Sequence, residues 1–282
     1  MLLKNVPVLK RLATTASPFQ GMAASLAVEP YIILIRLASI NRQFADRKIY
    51  CIDAVQMGAL SEDRNLHAVA QFWQGDTFTY CYNQPQMAID HLNGALSNVD
   101  GNAVLRSAIY GDLSIAHAQH KDECNAKENE KKALEYAMMA RQAMPDHPEL
   151  DSSYRCINVE HSVLDQFEGR AFLYLAEHFP NNSYARQAYD AFHKATTSQF
   201  ISKGFLSQAL SRKADTARAL GDMDECIKCL TNGFLIAVEI DDLDRLTQVD
   251  TVLQRIPQKW QKETAIERLQ KDTSHSIVVA RR

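Results

Sequence analysis

Between Phe172 and Ala195 the chain reads FLYLAEHFPNNSYARQAYDAFHKA, and this stretch decides the fold. Phe172, Leu175, Ala176 and Phe179 recur at spacings of three and four, which puts them on one face of a helix. The Pro180–Ser183 turn stops that helix and can cap a second one. Ala188, Phe192 and Ala195 then repeat the rhythm. Small side chains at Ala176, Ala188 and Ala195 let two antiparallel helices approach closely, while Phe172, Phe179 and Phe192 fill the space around them.

The same small-large-small rhythm returns elsewhere. Ala214 and Ala217 precede a turn at Gly221-Asp222, and Cys226, Leu230 and Gly233 follow it. Ala88, Leu92 and Ala95 follow a helix around Phe72 to Tyr80; Ala133, Ala137 and Ala140 follow one from Leu105 to His120. Cys51, Val55 and Gly58 make a weaker copy. The anchors Cys51, Ala88, Ala133, Ala188 and Cys226 lie 37, 45, 55 and 38 residues apart. The extra length has visible places: a charged insert, Lys121 to Lys132, and a connector, Pro145 to Glu160, whose Tyr154–Ile157 stretch reads as extended. Leu243 to Ile256 is a further amphipathic helix, and Gln258 to Lys271 a last helix capping the stack.

This pattern resembles the tetratricopeptide repeat, W-x2-L-G-x2-Y, a turn, then A-x3-F-x2-A, with a period of about 34 residues. The resemblance implies an all-α fold: a right-handed superhelical stack, or α-solenoid, of antiparallel helix pairs. The expected organisation is a linker or lead helix at 1–29, the helical array at 30–271, and a frayed or disordered tail at 272–282. A narrower likeness lies in His161-Ser-Val-Leu, Glu168-Gly169, the pair ending at Ala195, Ala219-Leu-Gly-Asp, and Pro257-x2-Trp260. These are similar to the tetratricopeptide sensor halves of bacterial XRE-type helix-turn-helix transcriptional regulators, over about residues 30–270. The chain departs from that family at its start, because residues 1–30 are too short for a helix-turn-helix domain.

Composition agrees with packed helices. Of 282 residues 46% are hydrophobic and 23% charged, too apolar for a disordered chain, with only 10 Gly and 8 Pro. The 31 basic and 34 acidic residues form no basic cluster, which argues against direct nucleic-acid binding. The six cysteines are spread out, most among apolar helical neighbours, and read as small buried groups in a reducing, cytoplasmic setting. No apolar run is expected to reach the roughly 18 residues of a membrane span, since Arg36 interrupts Tyr31–Leu37. Residues 1–28 carry Lys4, Lys10 and Arg11 with no acid, which fits a linker or a transit segment.

Catalytic signatures are missing: the sequence has no GxxxxGK[ST], GxGxxG, GxSxG or HExxH. Cys226-x2-Cys229 has a metal-site spacing but no second pair, and the repeat rhythm already explains Cys226. His117, His120 and Cys124 could share a helix face and hold a metal. His161, Glu168 and Arg170 read as capping and pairing groups. Asn181-Asn-Ser183 fits a glycosylation acceptor but reads as turn chemistry.

The expected function is therefore a non-enzymatic scaffold, with no cofactor or metal, that binds a peptide or protein partner or a second copy of itself. The alternative is a ligand- or peptide-sensing regulatory domain of a transcription regulator lacking its DNA-binding half. In tetratricopeptide arrays the first helix of each pair lines the concave face, so the resemblance implies a groove at Trp73, Thr77, Tyr80, Arg170, Leu173, Glu177, Asp215 and Arg218. Repeat packing is assigned to Phe172, Ala176, Phe179, Ala188, Phe192, Ala195, Ala214, Gly221, Cys226 and Leu230.

Overall fold

The computed structural model describes residues 2–179, 183–199 and 201–280. Every regular element among them is helical. The chain forms two compact units: one from the residues up to Ser39 with Gln43–Glu160, the other from Ile40–Arg42 with the residues from His161 onward.

The first unit begins with α1 (Leu2–Thr14), α2 (Gln20–Ile40) and α3 (Phe44–Leu60). It continues through α4 (Arg64–Thr77), a π-helical turn (Phe78–Tyr82) and α5 (Pro85–Asn98). It ends with α6 (Ala103–Gln119), α7 (Ala126–Ala143) and the one-turn α8 (Tyr154–Ile157). α6 and α7 run antiparallel. Ser107 and Ser114 of α6 donate to the Ala140 and Ala133 carbonyls of α7, each at 2.7 Å, so rising numbers on one helix meet falling numbers on the other. Gly75 of α4 lies against Leu92 and Ala88 of α5, while Gly58 of α3 lies against His67 of α4.

Local chemistry sets the ends. Asp63 caps α4 by accepting from the Asn65 and Leu66 amides, and Pro85 opens α5 where its missing N–H costs nothing. The expected boundary at residue 30 falls inside α2, whose Ala23, Ala24, Ala27 and Val28 are buried. With only Glu29 and Arg36 charged between Gln20 and Ile40, α2 is long and apolar enough, by length and composition, to cross a membrane. The small residues before Glu29 extend the apolar stretch beyond the Tyr31–Leu37 run, which corrects the expectation of no such run. Half of that window is buried. Lys10 of α1 bonds Asp53 of α3 at 2.7 Å, and Ala13 is fully buried, so α1 is a folded lead helix.

The second unit holds α9 (His161–His178), α10 (Tyr184–Thr197), α11 (Lys203–Leu220), α12 (Met223–Glu239), α13 (Leu243–Gln254) and α14 (Thr264–Ala280). Ala188, Phe192 and Ala195 are fully buried on α10. Phe192 fits against Gly169 of α9, where an added Cβ would stand 3.0 Å from the ring. Phe172 and Phe179 are half-buried and pack on Tyr184, and Ala176 is half-buried. The pair thus approaches closely at Gly169, while Ala176 is only half-buried. In the next pair Ala214, Ala217, Cys226 and Leu230 are fully buried.

Gly221 does not pack. It is exposed, with φ +82°, and ends α11 in the left-handed conformation that glycine adopts without strain. The Asp222 amide behind it reaches back to the Ala217 carbonyl at 2.9 Å, as in a Schellman cap. The last helix begins at Thr264, not Gln258, and runs on through the expected tail, with Thr273 and Ile277 buried. Asn181 and Asn182 lie outside the described residues.

Candidate partner-binding faces

In the first unit the first helices of successive pairs touch: the Tyr80 hydroxyl donates to Asp112 of α6 at 2.9 Å. Trp73 of α4 is half-buried, and its indole N–H donates to the Cys156 carbonyl at 3.2 Å. Cys156 belongs to α8, within the connector expected to be extended. Asp151 anchors that connector by accepting from the Ser153 amide and hydroxyl and from the Val104 amide at the start of α6. Burial alone would push the Asp151 carboxyl up, but these donors outweigh it and hold it down. Ile157 and Val159 are buried, and Cys156 is near enough to Glu29 and Arg36 of α2 to feel both charges. The connector thus lies against α4 and α6, beside the Trp73 that the resemblance assigned to a partner's groove.

Thr77 is not part of that groove. It is buried against α3, donating to the Trp73 carbonyl at 2.7 Å and lying 3.2 Å from the Cys51 sulfur. A helix turn of four residues separates it from Trp73, but α3 covers it from the other side.

In the second unit Leu173 is buried with Ala188 and Phe192, so it belongs to the helix-pair core rather than to a groove. Three of the other assigned residues of this unit, Glu177, Asp215 and Arg218, meet around Arg255. Asp215 of α11, 1% exposed, accepts from Arg218 at 2.8 Å and from Arg255, just past α13, at 3.1 Å. Arg255 also lies 4.0 Å from Glu177 of α9. Arg170 of α9 is buried and bonded to Tyr174. Burial pushes the Tyr174 phenol up, yet the Arg170 and Arg212 charges outweigh it, and the net shift is downward. Glu177 is exposed, Arg255 half-exposed at its side chain, and Arg218 partly so, which makes them the reachable groups of this network. Sequence spacing could not find Tyr174, Arg212 or Arg255, because their meeting depends on how α9, α11 and α13 align.

The other candidates resolve into structural roles. His117 and His120 each bond Asn129 at 3.1 Å, and His117 stacks on Tyr136. α6 ends at Gln119, so the helix face that would join them to Cys124 is broken. Burial lowers the His117 imidazole below its ordinary value. Cys226 and Cys229 are buried in the second unit's core, and burial pushes both thiols up to about 12, where they are inert.

The described chain is an all-helical protein of antiparallel helix pairs. No protein-family model matches it, and no curated protein does. Among solved structures it is similar to the crystal structure of BtubC (BKLC) from P. vanneervenii, at 14% identity and a TM-score of 0.51. The match covers 85% of this chain and 89% of that one. At such identity the likeness concerns the fold alone.

Proposed function

We propose that the chain is a non-enzymatic, tetratricopeptide-like scaffold whose first helices hold a short segment of a peptide or protein partner. The observation that carries this reading is the Trp73 indole bonded to the Cys156 carbonyl. A first-helix aromatic there engages a main-chain carbonyl of a short segment, which is how a groove recognises a peptide irrespective of its side chains. In the first unit that segment is the chain's own, so an outside partner is expected at the network of Glu177, Arg218 and Arg255. Arginines beside aromatic groups are favoured contact centres.

The test is cross-linking of the full chain to a captured partner, followed by charge substitution. Glu177→Lys, and Arg255→Gln, which keeps a donor towards the buried Asp215, should weaken binding about tenfold or more. Cross-links confined to the second helices α10 and α12, with binding untouched by both changes, would rule the reading out.

A further inference from the structure

The π-helical turn Phe78–Tyr82 carries a thiol that packing does not explain. Four of the six cysteines, Cys51, Cys156, Cys226 and Cys229, are buried. Burial raises all four thiols, Cys51 to about 11, which keeps them protonated and unreactive. Cys124 is exposed, and its amide donates to the Asp122 carboxylate. Cys81 differs: it is only partly buried, and the Arg47 guanidinium donates to its sulfur at 3.2 Å.

Arg47 is a built feature of the site. It is 4% exposed, on α3, and ion-paired with Asp76 of α4. One of its nitrogens, Nε, has no hydrogen-bond partner. The same charge also acts on the Cys51 sulfur, one turn along α3. A cation withdrawn from water acts through a low effective dielectric, so its pull on a neighbouring sulfur anion is poorly screened. Cys81 lies in the π turn, one turn past buried Thr77 and facing α3 as Thr77 does, and the turn ends at Asn83 with φ +51°. Such turns recur at functional sites.

We propose that Cys81 is a modification site, a thiol that Arg47 stabilises as the thiolate and that hydroperoxides oxidise to the sulfenic acid. The thiol first releases its proton to solvent. The sulfur then attacks the terminal peroxide oxygen; an S–O bond forms as the O–O bond breaks. Sulfur is oxidised, the peroxide is reduced, and the leaving alkoxide or hydroxide takes a proton to become alcohol or water. The product keeps an oxygen near Arg47 that can accept the same hydrogen bond. The proposal does not depend on the scaffold reading.

The experiment treats the folded full chain with one equivalent of hydrogen peroxide in the presence of dimedone and maps the adducts by peptide mass spectrometry. The adduct should fall on Cys81, about tenfold or more above Cys124. Iodoacetamide labelling rates should show the same order. Asp76→Asn removes the carboxylate that competes for Arg47 and should speed Cys81 labelling; Arg47→Met should slow it about tenfold. If Arg47→Met fails to fold, the wild-type adduct map and Asp76→Asn still decide. Adducts on Cys124 in preference to Cys81, or slower labelling of Cys81 in Asp76→Asn, would overturn the proposal.

Discussion

Lys213 of α11 is 6% exposed and stays charged because Glu225 of α12 accepts from it at 2.6 Å. The bonded ammonium in turn holds the Glu225 carboxyl down to about 2, from an ordinary 4.5. The folded state therefore binds that proton less readily than the unfolded chain. The stability Glu225 contributes is complete above about pH 4.5 and is lost as pH falls towards 2. Denaturant melts between pH 5 and about 2.5 should show this loss, and Glu225→Gln should flatten that part of the profile. At the same scale, Phe192 is fully buried against Gly169 and Leu173. Phe192→Ala should cost about 3–5 kcal/mol by urea denaturation, through lost transfer energy and the cavity left behind.

Helix pairs meet where one side chain is absent. An added Cβ on Gly58 of α3 would stand 2.8 Å from the His67 Cα of α4, and backbone cannot swing aside as a long side chain can. Gly58→Ala should force α3 and α4 apart and cost about 1–3 kcal/mol in denaturant, despite alanine's better helix propensity. A neutral or stabilising outcome would show that the two backbones can separate freely. Gly58 is the last slot of the weaker copy Cys51, Val55 and Gly58 read from the sequence. Gly169, its counterpart in α9, carries no repeat signal of its own, because a lone glycine in a helical pattern does not announce what stands opposite. Ala176, at a repeat slot, is only half-buried for the same reason: the slot names a face, whereas the depth of burial depends on the crossing of α9 and α10.

At the scale of the molecule each compact unit carries one of the two tryptophans, Trp73 in the first and Trp260 in the second. Trp260 is buried with Ile256 and Ile266, and Trp73 is tied to the connector. Single-tryptophan variants, Trp73→Phe and Trp260→Phe, should report separate unfolding midpoints by fluorescence, since each indole senses a different core. Coincident midpoints would mean that the chain unfolds as one cooperative body.

The spacing of small and large residues was enough to mark most of the helices and the buried positions Cys51, Ala88, Ala133, Ala188 and Cys226, but not α8 or the starts of α2 and α14. That periodicity is a local property of 3.6 residues per turn, so a linear string records it. Tertiary structure alone decided what the first helices face. The connector folds back as α8 onto Trp73, Thr77 and Leu173 turn inward, and Asp215 draws in Arg255 from 40 residues away. Those meetings depend on helix crossing and on where a connector returns, and neither leaves a period in the sequence.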